Sequence, residues 1–111
     1  MIECREYPRT PVDMLVFFSG TNKTDLRKGT MFDLSARGCA VTSLSSVQPG
    51  STVRILISET NLSSPITIES AAVRWSGSGE FGVEFLDLSE IDHRHLQRLL
   101  EAASMDSNHP H

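Results

Sequence analysis

The sequence lacks the features that mark membrane, secreted and nucleic-acid-binding proteins. No apolar run approaches the roughly 20 residues of a transmembrane helix, and the run MLVFF (14–18) has only the length of a strand. Glu3 and Glu6 lie before that run and no small-residue cleavage site follows it, so it does not resemble a signal peptide. The formal charge of −4 argues against a general nucleic-acid binder, which needs a basic surface. We therefore expect a cytoplasmic protein without membrane insertion.

Residues for metal or redox chemistry are also scarce. The two cysteines, Cys4 and Cys39, are far apart and form no CxxC motif, so neither a zinc site nor a redox pair is indicated. Cys39 lies in an apolar stretch and is expected in the core. No phosphate-binding glycine loop or nucleophile–base pairing is recognisable. We expect a protein that is not an enzyme and that holds no metal or cofactor.

Short apolar stretches separated by Gly, Pro, Ser and Asn dominate the middle of the chain. In TVRILIS (52–58), Val53, Ile55 and Ile57 alternate with other residues, as in a strand with one buried face. Ile66 and Ile68 show the same period in the next stretch. Six strands are predicted in this way, over residues 12–19, 29–35, 38–43, 52–58, 66–75 and 81–88. Such spacing favours an antiparallel barrel or sandwich, and we predict a mainly all-β fold, a six-stranded antiparallel barrel.

The end of the chain changes to a helical period. Ser89 and Asp92 have the spacing of a capping box, and Leu88 is available as a hydrophobic staple. The predicted helix runs from about Glu90 to Ala103 and packs on the barrel. Its apolar stripe consists of Leu96, Leu99, Leu100 and Ala103. The predicted organisation is a flexible N-terminal segment (1–11), a barrel with its C-terminal helix (12–103) and a disordered tail (104–111).

Two short motifs carry most of the functional information. CREYPRTP (4–11) holds Arg5 and Arg9 on a segment whose prolines oppose a helix. Both arginines could be ordinary surface charges, Arg5 paired with a neighbouring glutamate and Arg9 with Asp13. FDLSARGCAV (32–41) places Asp33 and Ser35 two residues apart, on the same side of an extended chain. Gly38 follows, where a positive φ or a close ligand approach is allowed.

Together, REYPR and DLSARG resemble the RxxxR and [D/N]xSxxG motifs of the PilZ domain family, in the same order and at similar spacing. The resemblance covers nearly the whole chain, including VRWSGSGEFGVEF (73–85) as a closing hairpin. It implies a six-stranded barrel that binds the bacterial second messenger cyclic di-GMP. The binding residues it implies are Arg5, Arg9, Asp33, Ser35 and Gly38.

The chemistry of these residues suits that ligand. An arginine can hold a phosphate with a bidentate fork or stack on a guanine, whereas lysine offers only a point charge. The Asp33 carboxylate can accept hydrogen bonds from the adjacent N1–H and amino group of guanine. Ser35 can bond a phosphate, and Gly38 lets the backbone approach the ligand.

Three further positions are candidates for ligand contact. Many members of the family carry an arginine immediately before RxxxR, where this chain has Cys4, which makes binding of an intercalated ligand pair doubtful. Arg37 is interpreted either as a phosphate contact or as a solvated side chain. Trp75 could stack on a purine, although a lone tryptophan of a barrel is more often part of the core.

The resemblance implies a cyclic di-GMP receptor or adaptor that changes conformation on binding and signals to a downstream protein, which the sequence does not identify. Two alternatives remain open: an adaptor of the same fold that works without nucleotide, and an unrelated small β-barrel that binds a peptide or glycan.

Overall fold

Six antiparallel strands close into a barrel, and a helix follows the last strand in the chain. The computed structural model describes residues 9–20, 25–58 and 65–107. The strands neighbour one another in the order β1-β2-β3-β6-β5-β4, with β4 returning to β1. This arrangement confirms the predicted six-stranded barrel with a C-terminal helix. The elements are β1 Thr10–Ser19, β2 Arg27–Leu34, β3 Gly38–Thr42, β4 Thr52–Ile57, β5 Ile66–Gly77, β6 Glu80–Asp87 and α1 Glu90–Ser107.

The core lies inside the barrel and is built from the alternating positions of the strands. Val53, Ile55 and Ile57 of β4 are all buried, as their period of two predicts. Phe81 of β6 meets Phe18 of β1 edge to face, with ring centroids 5.0 Å apart. Because each strand turns one face inward, its other face is available as an outer surface.

Two tight turns fix the register of neighbouring strands. Gly50 has φ +89°, and the Ser51 amide donates to the Gln48 carbonyl at 3.1 Å, as in a type II turn. Ser78 and Gly79, at φ +57° and +79°, form the two-residue turn that joins β5 to β6. Both turns contain a glycine dipeptide, Pro-Gly or Ser-Gly, and lie between strands that the sequence predicts.

The helix begins with the predicted N-cap. The Asp92 amide donates to Ser89 Oγ at 3.0 Å, and Ser89 Oγ in turn donates to the Asp92 carboxylate at 2.8 Å. Leu96 and Leu99 are buried against the barrel, where the helix packs on β1 and β5. None of the helical residues that the structure describes forms a stretch long and apolar enough to span a membrane.

The boundaries of the strands differ from those predicted by one or two residues, and the end of the helix differs by four. Strand β1 begins at Thr10 rather than Val12, because Thr10 and Pro11 pair with Leu34 and Asp33 of β2. Pro11 has no amide hydrogen to donate and lies beside an irregularity of the ladder, where proline is tolerated. The helix continues to Ser107, four residues beyond the predicted end.

Candidate ligand-binding site

Most of the predicted site residues can be placed in the structure. Arg9, Asp33, Ser35, Arg37, Gly38 and Trp75 are described, whereas Cys4 and Arg5 lie outside the described residues.

Arg9 and Asp33 bring the two motifs together. Arg9 Nη1 donates to Asp33 Oδ2 at 3.0 Å, across 24 residues of sequence. The pair is accessible, with 45% of the Arg9 side chain and 23% of the Asp33 side chain exposed. Arg9 therefore pairs with the aspartate of the second motif, not with Asp13 as the surface-charge interpretation suggested. The pair lies at the start of β1 and the end of β2.

A β-bulge turns Asp33 toward the outer surface. Met31 of β2 faces Val41 of β3, but the next aligned pair is Asp33 with Ala40, so Phe32 is an extra residue. Met31 and Leu34 are buried in the core on either side of this irregularity. The bulge reverses the alternation and leaves Asp33 on the outside of the barrel.

Ser35 has a different place from the one predicted. It follows the end of β2 and is buried, so it does not share an outward strand face with Asp33. Its Oγ accepts hydrogen bonds from the Arg37 amide at 3.2 Å and the Gly38 amide at 3.1 Å. A serine hydroxyl that caps following amides in this way stabilises a turn. In this structure Ser35 shapes the β2–β3 turn, and that turn presents Arg37.

Gly38 is required by strand packing. Its φ is not positive, so the conformational reason considered for this glycine does not apply. A Cβ at this position would clash with the Val83 carbonyl oxygen of β6. The close approach that Gly38 permits is therefore between β3 and β6, directly beside the turn.

Arg37 lies at the tip of this turn and is exposed. Its carbonyl oxygen accepts a hydrogen bond from the Phe85 amide at 2.7 Å, which ties the turn to β6. The backbone of the turn is thus fixed on both sides, by Ser35 and by β6.

Trp75 is on the surface, and its expected place in the core was wrong. The residue is 41% exposed. Its indole occupies the space above Gly82, where atoms Nε1, Cε2 and Cζ2 would all clash with a Cβ. An aromatic ring that covers a cross-strand glycine in this way protects the backbone of the sheet. Its exposed part remains available to a ligand.

The aspartate and the tryptophan are connected by a row of aligned residues across the barrel. Asp33 pairs with Ala40, Ala40 with Gly82, and Gly82 with Trp75. The middle of the row is small: Ala40 is only 1% exposed, although it is not part of the core cluster, and Gly82 has no side chain. Three strand spacings separate the ends of the row, about 14 Å along the curved surface. The row has accessible charged groups at one end and an exposed aromatic ring at the other, and the two small residues between them are buried.

Two residues beside this surface were missed in the sequence. Arg74 precedes Trp75, and its Nε and Nη2 both donate to Glu84 Oε1 of β6, at 2.9 and 2.6 Å. No sequence motif indicates this pair, because it depends on an irregular register between β5 and β6.

The PilZ domain model matches residues 3–102. The PilZ domain of YcgR from Escherichia coli with c-di-GMP has a TM-score of 0.75 at 15% identity, covering 95% of both chains. The Bacillus subtilis inhibitor of motility (MotI/DgrA) has a TM-score of 0.77 at 21% identity, covering 97% of this chain. The K. pneumonia MrkH–c-di-GMP complex has a TM-score of 0.74 at 16% identity, covering 96% of this chain.

The chain spans 55% of the length of both the MotI/DgrA and the MrkH chains. No curated protein matches it by sequence. At these identities the solved structures establish a shared fold, while the family model covers both motifs and all six strands. The chain therefore belongs to the PilZ domain family.

Proposed function

We propose that the protein is a receptor for cyclic di-GMP, bound on the outer surface that runs from Asp33 to Trp75. The observation that carries the proposal is the Arg9–Asp33 ion pair, because it places the last arginine of RxxxR on the first residue of the DxSxxG motif. Solved relatives of the same fold, YcgR and MrkH, are complexes with this ligand.

In the proposed complex Arg9 holds a phosphate and Asp33 accepts hydrogen bonds from one guanine. These contacts require the Arg9–Asp33 pair to share its hydrogen bonds with the ligand. An exposed ion pair contributes only about 0–1 kcal/mol to stability, whereas a hydrogen bond to a charged group is worth about 1.5–3 kcal/mol. The pair therefore aligns both side chains in the free protein and opposes the ligand only weakly.

Trp75 supplies a stacking surface for the second guanine at the other end of the row. Arg5 would add a second phosphate contact from the N-terminal segment. Arg37 is placed for an additional contact because the turn that carries it adjoins Asp33. Cys4 offers no charge at the position before RxxxR, and we expect one ligand per site rather than an intercalated pair.

The output of the receptor is a changed surface. We infer that binding draws the N-terminal segment against the barrel through Arg5 and Arg9, so that a downstream protein meets a different face. The signal would then pass by protein contact, without chemistry on the ligand.

Isothermal titration with cyclic di-GMP tests the proposal, with GTP and cyclic di-AMP as competing nucleotides. We expect saturable binding of cyclic di-GMP and a change in the fluorescence of Trp75, which is the only tryptophan in the chain. The Arg9→Ala variant should weaken binding by roughly 10- to 100-fold, through loss of a charge-assisted hydrogen bond.

Arg27→Ala is the matched control, because Arg27 is an arginine of similar side-chain exposure, 39% against 45% for Arg9, that pairs with Asp25 at the opposite end of β2. It should bind as the wild type does. Absence of binding by the wild type would refute the receptor and favour an adaptor that works without nucleotide. Equal losses in the two variants would refute the proposed location.

A further inference from the structure

A β-bulge places Arg74 on the outer face of the barrel together with Trp75. Val73 pairs with Val83, and the next aligned pair is Trp75 with Gly82, so Arg74 is the extra residue of the bulge. Val73 is buried in the core, whereas Arg74 and Trp75 are both exposed. Without the bulge, neighbouring residues of a strand would point to opposite faces. Bulges of this kind often re-aim a side chain beside a binding site.

The guanidinium of Arg74 is held in a defined position. Nε and Nη2 donate to the same oxygen of Glu84, at 2.9 and 2.6 Å. Glu84 is the residue of β6 aligned with Gly38, the last residue of the second motif. The side chain of Arg74 is 57% exposed, and a guanidinium has five N–H donors, of which these bonds use two. The ion pair thus fixes the arginine while its outer edge remains accessible.

We propose that Arg74 reads the O6/N7 edge of the guanine that stacks on Trp75, and so selects guanine over adenine at that end of the ligand. The arginine fork matches these two adjacent acceptors, and this is a frequent specific contact of arginine with guanine. Adenine presents an amino group in place of O6, so the same arginine would face a donor. This inference rests on the proposed function.

Asp33 does not serve this second guanine. It lies three strand spacings from Trp75, about 14 Å along the row. Cyclic di-GMP has two guanines, so Asp33 would accept from the donors of one and Arg74 would donate to the acceptors of the other. Asp33 then recognises the donor edge of one guanine, and Arg74 recognises the acceptor edge of the other guanine.

The test combines two variants with an atom change in the ligand. The Arg74→Ala variant and the wild type are titrated with cyclic di-GMP and with its 7-deazaguanine analogue, which lacks N7. Arg54→Ala is the matched control, because Arg54 also forms a cross-strand ion pair with a glutamate. Its Nε, on β4, donates to Glu69 Oε1, on β5, at 3.1 Å. Thermal unfolding of all three proteins confirms that they are folded.

We expect Arg74→Ala to lose roughly 5- to 150-fold in affinity for cyclic di-GMP, the range for one bidentate arginine–guanine contact. Arg54→Ala should keep the wild-type affinity. The wild type should prefer cyclic di-GMP over the analogue, and this preference should shrink in Arg74→Ala. An unchanged preference would overturn the assignment of Arg74 while leaving the receptor intact. No binding of cyclic di-GMP by the wild type would overturn the receptor, and this inference with it.

Discussion

Cys39 and Ala40 are neighbours in β3 that are both buried but lie on opposite faces of the strand. Ala40 lies in the row between Asp33 and Trp75, whereas Cys39 belongs to the core. Burial, and then the negative charge of nearby Asp33, raises the pKa of the Cys39 thiol from 9.0 to about 12. The thiol therefore stays protonated in the folded protein at neutral pH and is a packing residue rather than a nucleophile.

This shift predicts a loss of stability at alkaline pH. The unfolded chain releases the thiol proton near pH 9 and the folded chain only near pH 12, so rising pH favours unfolding between these values. Between pH 8 and pH 10.5 we expect Cys39 to lower the free energy of unfolding by about 2 kcal/mol. Urea unfolding of the wild type and of Cys39→Ala measures the free energy of unfolding at both pH values. The wild type should lose more of it than the variant between the two pH values, by about 2 kcal/mol. An equal loss of stability in the two proteins would contradict the predicted role of Cys39.

Single residues also show what the sequence could and could not predict. The burial of Cys39 follows from its apolar neighbours, which are local. The surface position of Trp75 and the turn bonds of Ser35 depend on contacts with β6 and on the exact end of β2, and neither is visible in a local pattern. The partner of Arg9 was likewise not visible in the sequence, which suggested Asp13, because the contact with Asp33 depends on the pairing of β1 with β2.

At the scale of the elements, alternation predicted the strands well but not their irregularities. The buried positions of β4 follow a period of two, and the large buried residues of β6, Phe81, Val83 and Phe85, do so as well, although Gly82 between them is also buried. A bulge is a property of the register between two strands, and neither strand encodes it alone. Two of the observed irregularities, at Phe32 and at Arg74, adjoin the ends of the candidate site.

The contact between β3 and β6 gives a prediction at this scale. Gly38→Ala should destabilise the fold by about 1–3 kcal/mol, because its Cβ would meet the Val83 carbonyl and force the strands apart. Gly77→Ala is the control in β5, since a Cβ there meets nothing within 4 Å, and it should change stability by less than about 0.5 kcal/mol. Chemical unfolding compares the two. If the two variants are equally stable, β6 moves away from the added methyl group without a measurable loss of stability, and the prediction is wrong.

At the scale of the whole molecule, ligand binding has two effects that must be separated. Any ligand bound only by the folded state stabilises it by mass action, by about 2.7 kcal/mol at a concentration of 100 Kd. Amides that exchange through global unfolding are then protected throughout the barrel. Amides that exchange through local fluctuations gain protection only where the ligand orders the chain.

The proposed closure of the N-terminal segment belongs to the second effect. With cyclic di-GMP at saturation, we expect hydrogen exchange to slow in residues 1–11, which carry Arg5 and Arg9, beyond any change in the exposed turn at Ser78 and Gly79. Arg9→Ala, measured at the same fractional saturation, experiences the same mass action but lacks one arginine contact. Its N-terminal protection should therefore be smaller while its barrel protection is equal. If residues 1–11 exchange equally fast with and without ligand in the wild type, the nucleotide binds without moving this segment, and the signal to a partner must arise elsewhere on the barrel.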